Sequence, residues 1–148
     1  MEIIKATIEN LETAAALFDL YRQFYEQVPD PEAAEKFLEE RLLKNQSVIF
    51  LAIDANTKSG MGFVQLYPSF SSVSMKRIWI LNDLFVHEDH RKKGVAEALI
   101  SASKELAVET GSKGLFLETH VSNYEAQKLY DKTGFKKDDG HFYYFFEI

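Results

Sequence analysis

The pattern of apolar and polar positions predicts a strand followed by two helices in the first third of the chain. Apolar and polar residues alternate over residues 2–8, which is typical of a strand. Asn10 can cap a helix whose apolar residues recur at helical spacing, namely Ala14, Leu17, Phe18, Tyr21, Phe24 and Tyr25. Asp30 and Pro31 then suit the cap and first turn of a second helix, whose apolar face comprises Ala34, Phe37, Leu38 and Leu42.

The pattern of apolar residues in the middle of the chain predicts three strands. Residues 47–53, 61–67 and 75–86 are apolar runs, and the polar segment 54–60 between the first two has turn chemistry. The serine content of residues 68–74 predicts a loop there. Three strands joined by short turns predict an antiparallel meander.

Helical spacing returns in the last third. Val95, Leu99, Ala102 and Leu106 share one helix face, and Gly111 is a plausible stop. Residues 114–120 predict a strand, and a further helix follows a cap at Ser122 or Asn123. The aromatic-rich residues 135–148 predict one or two closing strands. Strands and helices in this order favour an α/β or α+β fold, with residues 1–148 forming one domain.

Composition narrows the function classes. A hydrophobic fraction of 46% and a charged fraction of 27% indicate a folded core. The net charge of -6 argues against a basic nucleic-acid-binding face and favours cationic partners such as amines, although acidity also serves solubility. The chain has no cysteine, which excludes disulfides and thiolate nucleophiles. No apolar run approaches the roughly 18 residues that span a bilayer, and no secretory leader is visible, so we expect a cytoplasmic protein without membrane contact.

Residues 83–96 carry the most informative chemistry. A buried strand runs into a turn that holds Arg91, Lys92, Lys93 and Gly94, and a helix starts immediately afterwards. Free N–H groups and the dipole at a helix N-terminus favour a phosphate, and glycine lets the backbone approach it. The turn is neither a Walker A loop nor a dinucleotide fingerprint. On charge alone, a solvated basic turn is the competing interpretation.

Two motifs resemble those of the GNAT superfamily of N-acetyltransferases. Arg91-x-x-Gly94-x-Ala96, between a strand and a helix, resembles the family's pyrophosphate-binding motif Q/R-x-x-G-x-G/A. Residues 123–135 resemble its N-x-x-A-x-x-L-Y-x-K-x-G-F signature at every fixed position. The motifs lie within residues 78–136, whereas the N-terminal third is similar only in its order of elements.

The resemblance implies a fold and a cosubstrate. The fold would be a mixed, mostly antiparallel sheet of six to seven strands with four helices, in which the fourth and fifth strands splay to admit acetyl-CoA. The cofactor-binding residues implied are Leu84, Phe85, Val86, Arg91, Lys92, Lys93, Gly94, Val95, Ala96, Asn123, Ala126, Tyr130 and Lys132. Lys132 is equally well explained as a solvated helix residue. The histidines His87, His90, His120 and His141 lack metal-ligand spacing, so we expect no metal.

The catalytic groups are also implied by the resemblance. Tyr130 would protonate the leaving thiolate as general acid. Some relatives place a basic carboxylate where this chain has Asn82, so the general base is left open among Asp83, Glu118 and a water chain ending at either carboxylate or at His120. Tyr67, Phe70, Trp79 and Asn82 are candidates for the acceptor pocket.

The expected function is the transfer of an acetyl group from acetyl-CoA to the primary amine of a small molecule. The alternatives are a protein or peptide acetyltransferase acting on lysines or N-termini, and an acetyl-CoA sensor without turnover. A homodimer is expected, in which the aromatic C-terminal strands add to a partner's sheet edge.

Overall fold

A computed structural model describes residues 1–148, which divide into two compact units, residues 1–118 and 119–148. The first unit contains a five-stranded sheet of order β1-β2-β3-β4-β5. Neighbouring strands are antiparallel except for the parallel pair β4 and β5. The strands are β1 (Glu2–Lys5), β2 (Val48–Ile53), β3 (Gly60–Ser71), β4 (Lys76–Val86) and β5 (Leu115–Phe116). The predicted meander is β2 to β4.

Three helices belong to the first unit, namely α1 (Leu11–Phe24), α2 (Pro31–Leu43) and α3 (Val95–Glu109). Asp30 caps α2 as predicted, because its side chain accepts the Ala33 N–H at 3.1 Å. Asn10 occupies the cap position of α1 without a side-chain bond to that helix. Its Oδ1 instead accepts the Thr7 N–H at 3.0 Å, within a capping box on the preceding 3₁₀ turn.

The sheet is buried between helices on both faces. One face carries a core of aliphatic and aromatic side chains shared by the strands, α1 and α2, including Phe63 and Phe85. Successive strand residues point to opposite faces, so the fully buried Val64 and Leu66 face away from this core. The helix α3 packs against β2, β3 and β4. Its buried face includes Leu99 and Leu106, as the apolar spacing predicted.

The second unit contains α4 (Tyr124–Lys132), which begins and ends as predicted. The Asn123 side chain accepts the Ala126 N–H at 3.2 Å and caps the helix. Gly134 adopts a left-handed φ of 87° directly after it.

The predicted closing strands are absent, so the sheet has five strands and not six to seven. No strand occurs in residues 135–148. A strand needs a neighbour for its backbone groups and a cover for its apolar face. The side chains of Phe142, Tyr144, Phe145 and Phe146 are each at least 88% exposed. None of the helices combines the length and apolar character needed to cross a bilayer.

Candidate functional site

A β-bulge at Asn82 determines which backbone groups of β4 point away from β3. Gln65 pairs with Asp83 and Leu66 pairs with Leu81, which leaves Asn82 as the extra residue. Before the bulge, the Trp79 N–H donates towards β5, to the Gly114 carbonyl at 3.1 Å. Along β4, successive amides point alternately towards β3 and away from it. The extra residue at the bulge shifts this alternation by one position, and so changes which amides point away from β3.

After the bulge, the His87 N–H donates towards β3, to the Met61 carbonyl at 2.9 Å. Because antiparallel pairs alternate between hydrogen-bonded and non-hydrogen-bonded, Phe85 directs its amide at β3, whereas Leu84 and Val86 direct theirs to the opposite side. The two amides beside Phe85, rather than its own, therefore face outwards.

The pairing of β4 with β5 ends early. Its two pairs are Trp79↔Leu115 and Ile80↔Phe116, after which β5 stops and β4 continues to Val86. The outward groups of Leu84 and Val86 thus lie on a stretch of β4 that β5 does not pair. This unpaired stretch of β4 lies where the resemblance implied a gap between the fourth and fifth strands, and it offers backbone donors and acceptors to an extended, amide-containing molecule.

The turn after β4 leads into the N-terminus of α3. Gly94 is the N-cap residue in a left-handed conformation, with φ of 79° and ψ of 7°, and no side chain caps the helix. An added Cβ would meet no atom within 4 Å, so the backbone conformation rather than a clash requires glycine. The first-turn N–H groups, including those of Val95 and Ala96, have no intrahelical acceptors and suit an anion.

The basic side chains of the turn mostly support the turn itself. The Arg91 guanidinium donates to the Val86 carbonyl at 3.1 Å and lies 5.8 Å from the Phe24 ring centroid. Lys93 donates to the Asp89 carbonyl at 2.8 Å. Lys92 is exposed and has a φ of 58°. The backbone N–H groups are consequently the most direct anion ligands in this turn.

A buried polar cluster lies on the α1 side of β3 and β4. Asp83 is 5% exposed, and its carboxylate accepts hydrogen bonds from the side-chain amides of Gln65 at 2.7 Å and Asn82 at 3.0 Å, and from the Tyr21 hydroxyl. Burial raises the pKa of Asp83, and these three hydrogen bonds only partly offset it. A carboxyl whose pKa is shifted by burial and by specific hydrogen bonds is a candidate for a proton-transfer group.

Asp83 and its neighbour Asn82 could be identified from the sequence as site candidates, but the two other partners of Asp83, Gln65 and Tyr21, were missed. Gln65 is fully buried in the middle of the apolar strand β3, and it accepts a hydrogen bond from the buried Ser47 at 2.9 Å. A glutamine inside an apolar run was the available signal, because buried polar side chains need partners. Tyr21 gave no such signal, since its position in the helical apolar pattern explained it already.

Two of the predicted acceptor residues adjoin this cluster. Burial raises the pKa of Tyr67 to about 12, with a contribution from the nearby Asp83 carboxylate and an opposing one from Arg41. Tyr67 therefore stays neutral at physiological pH. Asn82 flanks the same carboxylate.

The other two acceptor candidates lie elsewhere. Trp79 is buried, and its indole N–H donates to Thr110 beyond the end of α3 at 2.8 Å. Tyr67 pairs directly with Ile80, so adjacent Trp79 points to the opposite face. Phe70 is 71% exposed, with the Arg77 guanidinium 5.3 Å from its ring centroid. The structure does not bring Trp79 beside Tyr67.

The remaining site candidates lie after β5. Glu118 is exposed at the end of the first unit. In the second unit, the Tyr130 ring contacts Phe135 edge-on at 5.6 Å between centroids. Asn123 uses its amide oxygen on the helix cap, which leaves its NH₂ group as a donor. Ala126 is half-buried and Lys132 is exposed. No group of three or more His, Cys, Asp or Glu side chains is arranged to hold a metal ion.

Comparison with known proteins places this geometry in a family. Residues 14–135 match the Acetyltransferase (GNAT) family. The chain is 45% identical over 144 residues to the uncharacterized N-acetyltransferase YhfO of Bacillus subtilis, covering 97% of this chain and 95% of that one. It is 38% identical over 136 residues to a probable acetyltransferase of Haemophilus influenzae, covering 92% and 90%. The crystal structure of a probable acetyltransferase superposes with a TM-score of 0.95 at 44% identity, covering 100% and 98%.

Proposed function

The chain belongs to the GNAT family of acetyltransferases, and from this premise we propose that it transfers the acetyl group of acetyl-CoA to the primary amine of a small molecule. The observation that carries the proposal is the continuous path from the unpaired stretch of β4 to the N-terminus of α3. The path offers outward amides at Leu84 and Val86, then the helix N–H groups that follow Gly94.

These groups match the chemistry of acetyl-CoA. Its pantetheine arm carries two amides, which would pair with the outward backbone groups of Leu84 and Val86. Its pyrophosphate is an anion, which the N–H groups of Val95 and Ala96 would bind with support from the helix dipole and Lys92. Acetyl-CoA supplies an acyl thioester, and a backbone N–H beside Phe85 would polarise its carbonyl.

The acceptor amine must lose a proton before it attacks. We assign this proton to Asp83, whose carboxyl is buried beside two tyrosine hydroxyls and contacts only neutral donors. A cationic amine would compensate that buried charge, which supports an amine as the acceptor. Tyr130 is assigned as the general acid that donates a proton to the departing thiolate, because of its position in the signature motif.

An Asp83→Asn variant is expected to lose about 100-fold or more in kcat/KM, because a general base typically contributes that much. The matched control is Asp19→Asn on α1. Asp19 is also buried, but its carboxylate is paired with the Arg22 guanidinium at 3.0 Å, and it is assigned no part in the reaction. Steady-state kinetics on both variants decide the matter. If Asp83→Asn retains full turnover while Glu118→Gln loses it, Asp83 is not the base.

A small acceptor is favoured because the Asp83 carboxyl lies beneath α1 and is only 5% exposed. A slender alkylamine reaches such a group more readily than a folded protein surface does. Turnover of small amines at rates far above those of lysine-containing or free N-terminal peptides is expected in a competition assay. The reverse preference would assign the chain to peptide acceptors.

We also propose that the enzyme is a homodimer. Phe142, Tyr144, Phe145 and Phe146 expose their aromatic side chains, and monomeric proteins rarely leave contiguous apolar surface of this kind in water. A strand contributed to a second copy would bury it. Sedimentation is expected to give a dimer for the full chain and a monomer for a chain ending at Asp139. A monomeric full chain at assay concentration would remove the proposal.

A further inference from the structure

Three polar residues form a buried chain across β2, β3 and β4. Ser47 immediately precedes β2, Gln65 lies within β3, and Asp83 lies within β4. They are 8%, 0% and 5% exposed. Burying three polar groups in an otherwise apolar sheet costs free energy unless all are paired, and here no buried side-chain atom lacks a partner.

The hydrogen bonds that join these three residues all run in the same direction, with Ser47 as the first donor and Asp83 as the final acceptor. The Ser47 hydroxyl donates to Gln65 Oε1 at 2.9 Å, and Gln65 Nε2 donates to Asp83 Oδ2 at 2.7 Å. Because Ser47 occupies the amide oxygen, the amide turns its NH₂ group towards the carboxylate. Gln65 and Asp83 are also direct cross-strand partners, which fixes the separation of their side chains.

The other carboxylate oxygen, Oδ1, accepts the Asn82 amide at 3.0 Å. The titratable groups around the carboxyl are Tyr21 on α1, which also donates to it, and Tyr67 on β3. On α2, Arg41 acts on Tyr67, but it is itself paired with Glu40 at 2.9 Å. The carboxylate is thus oriented by neutral donors, and one of them, Gln65, is itself held by a hydrogen bond from the buried Ser47.

We propose that Ser47 and Gln65 are positioning residues that keep Asp83 ionised and oriented to accept the proton of the acceptor ammonium. The proposal rests on the proposed function. In the step concerned, an N–H bond of the ammonium breaks, its electron pair stays on nitrogen, and the proton forms an O–H bond with the Asp83 carboxylate. The free amine then attacks the thioester.

The first test is an NMR titration of the Asp83 carboxyl carbon, with the signal assigned by its loss in Asp83→Asn. Gln65→Met keeps the side-chain length and removes the donor, so the pKa of Asp83 should rise by about one unit. Ser47→Ala should raise it by less, and Ser47→Thr should restore the original value. The matched control is Ser103→Ala, which removes another fully buried serine hydroxyl whose bond goes to the Leu99 carbonyl. An Asp83 titration that is unchanged in both Gln65→Met and Ser47→Ala overturns the proposal.

The second test is the pH profile of kcat/KM. The acid limb should move to higher pH in Gln65→Met and Ser47→Ala by the shift seen in the titration, while Ser103→Ala leaves it in place. If the acid limb stays in place although the pKa of Asp83 has shifted, the positioning role is overturned, but the acetyltransferase assignment remains intact. If the wild-type chain shows no turnover at all, the proposed function fails, and the titration still decides whether Ser47 and Gln65 act on Asp83. Ser47→Ala, a small change at the edge of the cluster, keeps the test available if Gln65→Met does not fold.

Discussion

A Gly94→Glu variant is expected to bind acetyl-CoA at least about 100-fold more weakly than the wild type. Any L-residue is strained at the left-handed backbone of position 94, where φ is 79°, by about 1–2 kcal/mol. The new carboxylate would also compete with the pyrophosphate for the first-turn N–H groups of α3 and repel it. Calorimetric titration with acetyl-CoA measures the loss directly.

The control for this variant is Gly111→Glu. Gly111 lies just beyond the other end of α3, has a φ of 61° and equally has no atom within 4 Å of an added Cβ. The substitution therefore adds a similar strain and the same charge away from the proposed phosphate site. Equal losses of affinity in the two variants would show that general destabilisation, not anion binding at α3, explains the effect.

A Tyr130→Phe variant is expected to lower kcat by about 100-fold, the low end of what a positioned general acid contributes, while the Kd of acetyl-CoA stays unchanged. Removing one hydroxyl leaves the ring contact with Phe135 in place, so the fold of α4 should survive. Single-turnover kinetics with saturating acetyl-CoA separate the chemical step from cofactor binding.

The matched control for Tyr130 is Tyr124→Phe, which removes a hydroxyl from the first residue of the same helix, where the side chain is 67% exposed. It should turn over normally. Wild-type turnover in Tyr130→Phe would take Tyr130 out of the acid role. A parallel fall in both variants would indicate a disturbed helix instead.

Helix caps and turns could be predicted from the sequence, because they depend on residues that are close together in the chain. Asp30 could be identified as a helix cap, and Asn123 as one of two candidates with Ser122, because each supplies a side-chain acceptor directly before an apolar helical pattern. Gly94 could be identified because glycine lets the backbone approach a phosphate closely, whereas its left-handed conformation became known only from the structure. The family resemblance rests on the segments that contain Gly94 and Asn123, and the match to residues 14–135 confirms it.

What depends on pairing between distant segments could not be read from the sequence. The bulge at Asn82 exists only in the register of β4 against β3, yet it decides that Leu84 and Val86 present their backbone groups outwards. The bonds from Ser47 to Gln65 and from Gln65 to Asp83 each join residues 18 positions apart. Aromatic content predicted strands in residues 135–148, but whether a strand forms depends on pairing with another strand, which local sequence does not specify, and no strand occurs there.

The central claim is that this chain moves an acetyl group from acetyl-CoA to an amine. A thiol-release assay with acetyl-CoA across a panel of small primary amines, read against the same mixture without enzyme, tests it most directly. The account predicts amine-dependent release of free CoA, with mass spectrometry showing one acetyl group added to the acceptor. No release of free CoA above the enzyme-free mixture on any amine or peptide would contradict it.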